Sequence, residues 1–355
     1  MKFGVYCETL SPRELSQADV VELLGRHRLT LGHALRFPED DGRFASERLA
    51  EHLALAQALR EAGATYCLWP LLPKSLGYWI NERNVDATAR MVETILEGCV
   101  KFGGKPDWLV VDVETPWTQM EAAFFPGPPW YARALSFAKL FLANRNPRRF
   151  AWASRRLGEI VRTLQGEGVR VSSAVFPFLI ADLIHDGHTL QDYLEMPVFS
   201  VPFDAYNAMF YNSYLPTAVP LVVPPGSAQR VLYEYAGELA RRVGERAWIT
   251  LGSTWEGVIP GNEGKSFDRA GLFAPDVAAA KAAGIETLWL YCLEGVLFAD
   301  RELTARRPLA DSEAFFTVLE ETPAAVPPPD ARWTRNRAIL ERLLRDRLHR
   351  AYGWD

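Results

Sequence analysis

PDWLVVDVETPW, residues 106–117, is the stretch from which the rest of the chain can be read. Its apolar, β-branched run predicts a buried strand that ends in two acids, Asp112 and Glu114. Side chains alternate along a strand, so both acids point to one side. Two carboxylates held together repel each other and lose hydration, and neighbouring groups must offset that cost. Acids tuned in this way mark reaction sites more often than packing solutions.

Seven further runs of the same kind surround this one: 2–8, 29–35, 65–71, 169–176, 204–211, 247–254 and 286–293, with 108–114 as the fourth of eight. Helical patterns fall between them at 12–26, 45–62, 82–102, 130–142, 148–166, 226–243 and 275–283. Ser11-Pro12 is a cap followed by a first-turn proline, and Gly63 and Gly284 close two of the helices. Strands that alternate with helices predict a parallel sheet with helical crossovers, and eight strands close a (β/α)₈ TIM-type barrel. An open doubly wound sheet is disfavoured, because no Gly-x-Gly-x-x-Gly follows a strand. The barrel is expected over 1–321. Residues 322–355 are expected to form a Pro-rich connector, TPAAVPPPD, and an amphipathic C-terminal helix packed on the barrel. The same helix could instead dock a second subunit; the oligomeric state stays open.

Composition narrows the function. The chain has 355 residues, 48% of them hydrophobic, and a net charge of −5, which argues against a nucleic-acid partner. No apolar run has the length of a signal peptide or a membrane span, so a cytoplasmic protein with no membrane partner is expected. Cys7, Cys67, Cys99 and Cys292 form no Cys-x-x-Cys pair and read as free thiols. Of the six histidines only His33 falls at a predicted strand end, and no metal-ligand spacing occurs. Neither a metal nor an organic cofactor is expected. The 11 Trp, 12 Tyr and 19 Phe suit a core, and they also suit a carbohydrate cleft in which rings pack on sugar faces.

In a barrel of this kind the strand C-termini gather at one mouth, where reactive side chains project. The strand ends supply Tyr6, Glu8, His33, Trp69, Asp112, Glu114, Tyr211, Asn212, Trp255, Glu256 and Glu294. The long connections at 115–131, 212–225 and 255–274 belong to the same rim, and the first carries Trp117, Phe124, Phe125, Trp130 and Tyr131.

Strand four resembles the Asp-x-x-Asp-x-Asp-x-Glu signature of chitinase-like glycoside hydrolases. Asp107, Asp112 and Glu114 fall on its first, third and fourth positions, and Val110 replaces the second acid. Met209-Phe210-Tyr211-Asn212 resembles the strand-six element of the same barrels. VVDVETPW is similar, more distantly, to the Asp-x-Glu segment of hyaluronidases. The Ser-x-Gly-Gly of strand three is absent, since TYCLWPLLP stands there, and strand eight ends YCLEG without the family's Trp. The resemblance implies hydrolysis beside an N-acetylhexosamine. Glu114 would be the general acid, and the substrate's own acetamide would attack, supported by Asp112 and Tyr211. Tyr6, Glu8, Trp69, Trp117, Asn212, Trp255 and Glu294 would bind the carbohydrate. Two alternatives stay open. In a retaining glycosidase Glu114 would be the acid/base and Glu256 the nucleophile. A non-catalytic carbohydrate-binding barrel would keep the aromatics and lose turnover.

Overall fold

The computed structural model describes residues 1–37, 46–124, 143–219, 223–256 and 266–352. The expected helix at 130–142, residues Phe125, Trp130 and Tyr131, and the side chain of Phe124 lie outside that description. Eight parallel strands close into a barrel in chain order: β1 (Lys2–Cys7), β2 (Thr30–Arg36), β3 (Thr65–Leu71), β4 (Trp108–Asp112), β5 (Arg170–Val175), β6 (Ala205–Phe210), β7 (Ala247–Gly252) and β8 (Thr287–Tyr291). Each lies within one residue of the expected bounds at its start and within two at its end. No described helix is long and apolar enough to cross a membrane.

The helices that cover the barrel include α1 (Pro12–Leu15), α2 (Ala18–Arg26), α3 (Arg48–Glu61), α4 (Val85–Phe102), α5 (Trp117–Phe124), α6 (Pro147–Gly166), α7 (Ile180–Ile184), α8 (Thr189–Leu194), α9 (Leu215–Ala218), α10 (Ala228–Val243), α11 (Ala274–Ala282), α12 (Leu293–Leu297), α13 (Leu309–Glu321) and α14 (Ala331–Tyr352). Ser11 closes a capping box with Glu14 and sets the start of α1. The single helix expected over 12–26 is split in two by Ser16-Gln17. On α14, Trp333 is buried and donates its indole N–H to Glu234 of α10, which also pairs with Arg337 at 2.7 Å.

The period of two sorts the strands into an outer and an inner face. Leu31, Tyr66, Leu109, Val111 and Ile249 pack toward the helices, whereas Tyr6, Cys67, Trp69, Val110, Met209, Trp248 and Trp289 fill the barrel. Two glycines make room for the interior rings: a Cβ on Gly4 would lie 2.5 Å from the Trp289 ring, and one on Gly32 would lie 2.6 Å from Tyr6. His33 lies on the outer face. It stacks on His52 of α3 with ring centroids 4.5 Å apart, and its Nε2 meets the Leu10 carbonyl at 2.8 Å. Burial holds its pKa down to about 4, so the ring is neutral near pH 7. Its place at a strand end suggests the mouth, but its parity with Leu31 turns it into the helix layer instead.

Candidate active site

The pairing of β3 with β4 covers only Cys67–Trp108 and Leu68–Leu109. Beyond it the chain runs out through Pro70 and folds back, and Ile80 pairs with Val113 in place of β3. Ile80 N–H donates to the Asp112 carbonyl at 2.9 Å, and Glu114 N–H donates to the Ile80 carbonyl at 3.1 Å. On the other side Val113 N–H reaches the Ala174 carbonyl at 2.9 Å. Residues 112–114 are thus held extended past the end of β4, which keeps both acids on the inner face. The same returning loop brings Tyr78 and Trp79 to the mouth.

Asp112 and Glu114 are buried and close enough to share a proton. Asp112 Oδ2 accepts from Trp69 Nε1 at 3.2 Å, and Oδ1 takes no hydrogen bond from the described nitrogens and hydroxyls. Burial pushes both carboxyls up. Repulsion from Asp112, and then from Glu8, pushes Glu114 further, well above the usual carboxylate range. No described cation stands against Glu114 to reverse that effect, so its proton is retained while other acids ionise.

Glu8 follows β1 and is buried between three elements. Its Oε1 accepts from Arg36 Nη2 of β2 at 3.0 Å and from the Tyr78 hydroxyl at 3.1 Å, and its Oε2 accepts from the Tyr291 hydroxyl of β8. Burial raises its pKa, and Arg36 followed by the Tyr291 hydroxyl works against the rise. The turn carrying Glu8 is fixed by Glu294 at the start of α12. Glu294 Oε1 accepts from Glu8 N–H at 2.7 Å, Thr9 N–H at 2.6 Å and Thr9 Oγ1 at 3.0 Å.

Aromatic rings surround the acids. Tyr211 stacks on Tyr291 at 5.1 Å and lies beside Tyr214, Asp112 and Glu114. Trp79 and Trp117 meet at 5.0 Å, with Lys74 Nζ 4.5 Å from the Trp117 ring centre. Below them Tyr6 stacks on Trp289 at 4.6 Å, and its hydroxyl accepts from Asn207 Nδ2 at 2.9 Å. Asn207 Oδ1 in turn accepts from Thr250 at 2.8 Å. This buried polar chain forms a fixed floor.

Of the residues expected at the site, Glu8, Trp69, Asp112, Glu114 and Tyr211 come together, with Tyr6 beneath them and Trp117 in the aromatic wall. Glu294 acts behind them on the turn after β1. Three others have partners outside this group. Asn212 donates to Asp276 at the head of α11, 3.0 Å away. Trp255 Nε1 donates to the Arg301 carbonyl at 3.2 Å, and Glu256 pairs with Arg301 at 3.3 Å. Asp107, the first signature position, lies at the opposite end of the barrel. There it accepts from Tyr66 N–H and pairs with Arg60. Arg36, Tyr78, Trp79, Tyr214 and Tyr291 were not singled out from the sequence. Arg36 and Tyr291 share inner parity with Gly32 and Trp289, a signal that could have found them.

No protein-family model and no curated protein matches the chain. Solved structures match in fold. A GH5_18 protein from Bifidobacterium longum subsp. longum is 14% identical, with 94% of this chain and 84% of that one covered and a TM-score of 0.54. A GH5-4 broad-specificity endoglucanase from Clostridium acetobutylicum is 12% identical, with 90% and 97% covered and a TM-score of 0.51. The PgaB (BpsB) glycoside hydrolase domain from Bordetella bronchiseptica is 12% identical, with 90% and 99% covered and a TM-score of 0.50. The likeness defines the class of architecture, a (β/α)₈ barrel.

Proposed function

We propose that the protein is a glycoside hydrolase with Glu114 as its general acid. The observation that carries this reading is the buried Asp112–Glu114 pair at the C-terminal mouth of the barrel, with Glu114 holding its proton well above the usual carboxylate range. Cleaving a glycosidic bond requires a proton for the leaving oxygen and stabilisation of an oxocarbenium-like centre. Glu114 supplies the proton, and the rings of Tyr211, Tyr291, Trp79 and Trp117 are suited to packing against sugar faces. Barrels of the same architecture include the PgaB glycoside hydrolase domain and the GH5-4 endoglucanase, which is consistent with this reading.

The resemblance of strand four to chitinase-like barrels extends the proposal to glycans with an N-acetylhexosamine beside the cleaved bond. The position of Tyr211 next to Asp112 and Glu114 supports that extension, since a hydroxyl and a carboxylate there could hold a 2-acetamido group. For the retaining alternative no comparable observation stands: the Glu256 carboxylate is paired with Arg301 at 3.3 Å.

Hydrolysis of a panel of N-acetylated and plain aryl glycosides, run on the wild type and on Glu114→Gln, tests the proposal. On members of the panel whose leaving group needs a proton, turnover by the wild type that falls about 10²–10⁴-fold in the variant is expected. Glycan binding by calorimetry without any turnover would favour a carbohydrate-binding barrel.

A further inference from the structure

Glu8 was expected only to bind substrate, yet its surroundings suit a more specific task. It lies across the mouth from Glu114 on a different strand end, and its charge reaches both Asp112 and Glu114 and raises their pKa values. Burial raises its pKa as it raises theirs, but its hydrogen-bond donors oppose that rise, whereas at Glu114 the neighbouring carboxyls add to it. A guanidinium and two hydroxyls donate to its oxygens, whereas Asp112 receives a single indole N–H and leaves Oδ1 without a described donor. Three donors in fixed positions favour the ionised form of a carboxylate. Acids in one site whose surroundings drive their protonation apart divide the acid and anion roles between them.

We propose that Glu8, held by Arg36, Tyr78 and Tyr291, is the ionised catalytic carboxylate that stabilises the positive charge developing on the sugar while Glu114 protonates the leaving oxygen. This inference rests on the glycoside hydrolase reading and adds a second residue to it. It also gives the surrounding groups their tasks. Arg36 faces Glu8 from β2, Tyr291 from β8 and Tyr78 from the loop before α4; Glu294 holds its backbone from α12, and the charge of Glu8 acts on Asp112 at the end of β4 and on Glu114 just beyond it. Glu294 is then a positioning residue, since its carboxylate fixes the backbone on both sides of the Glu8–Thr9 peptide. Glu8 acts by charge and forms no bond: the glycosidic C–O bond breaks as Glu114 gives its proton to the leaving oxygen, and water adds to the anomeric carbon and returns a proton to Glu114, so that the same pair can serve plain and N-acetylated glycosides.

The test compares pH–rate profiles of the wild type, Glu8→Gln and Tyr291→Phe on the aryl glycosides the wild type turns over, with thermal unfolding as a check on folding. Glu8→Gln should lower kcat by roughly 10²–10³-fold, as for a lost electrostatic stabiliser. It should also remove the acidic limb, which reports Glu8 losing its charge. The alkaline limb should persist and move to lower pH, because Glu114 loses a repelling neighbour. Tyr291→Phe removes one donor to the carboxylate and should move the acidic limb to higher pH; this variant decides the matter if Glu8→Gln does not fold. A Glu8→Gln enzyme within about tenfold of wild type with both limbs intact, or an acidic limb unmoved by Tyr291→Phe, would overturn the role of Glu8 and leave Glu114 as the acid. A wild type inert on every glycoside would overturn the hydrolase reading and the role of Glu8 with it.

Discussion

Asp112 and Glu114 stand two residues apart on the inner face of one extended segment, and each is within reach of the other's proton. The arrangement is forced by Ile80, which takes over from β3 and holds residues 112–114 extended beyond the last strand pair. The acid pair is therefore a product of backbone pairing, and its chemistry depends on few degrees of freedom.

The pair carries a signature in stability. Burial and mutual repulsion raise the Glu114 pKa, so the folded state binds more protons than the unfolded one between the unfolded and folded values. That contribution is fully present below the unfolded value, about 4.3 for a glutamate, and is lost as pH rises through the folded value. Glu114→Gln removes it. The variant should be more stable than wild type at pH 8, with the difference shrinking toward pH 4. Thermal unfolding across that range measures it, and parallel curves would contradict the assignment.

Trp69 is the one described donor to Asp112 other than its acid neighbour. Trp69→Phe retains much of the ring packing against Tyr6, which sits edge-on at 5.4 Å. The loss of the N–H should cost roughly 1–2 kcal/mol of stability and raise the Asp112 pKa. Chemical denaturation and carboxyl titration by NMR read the two effects separately.

Glu294 should matter more to the backbone than its distance from the sugar suggests. Glu294→Ala leaves the N–H groups of Glu8 and Thr9 without their acceptor, at about 1–3 kcal/mol for each buried donor. Glu294→Gln keeps a carbonyl oxygen in place and should lose less stability than Glu294→Ala in denaturant titrations. Equal losses would contradict the hydrogen-bonding account.

Glu256→Gln should leave turnover within a few-fold of wild type, because the carboxylate is engaged with Arg301. Complete loss of turnover together with retained folding would restore the retaining mechanism in which Glu256 attacks.

Much of the fold was legible because strand alternation and helix punctuation are local. The expected starts of β3, β4 and β7 match the observed ones, and the parity of β4 placed Asp112 and Glu114 correctly on the inner side. Short elements such as α7, α8 and α12, at five or six residues, carry too little periodicity to be read. The reading of Glu256 extended the parity of β7 past its observed end, Gly252, and Asn212 entered through the resemblance of 209–212 to a strand-six element, two residues beyond the end of β6 at Phe210. Tyr78 reaches Glu8 only because its loop folds back along β4, a long-range pairing with no local signature.

The most direct test of the central claim varies the leaving group. A general acid matters in proportion to the proton the departing oxygen needs. Glu114→Gln should hydrolyse a dinitrophenyl glycoside, whose leaving group departs unprotonated, at close to the wild-type rate. The same variant should lose roughly 10²–10⁴-fold on the matching phenyl or alkyl glycoside. Equal losses on both substrates, or none on either, would contradict the assignment of Glu114 as the general acid.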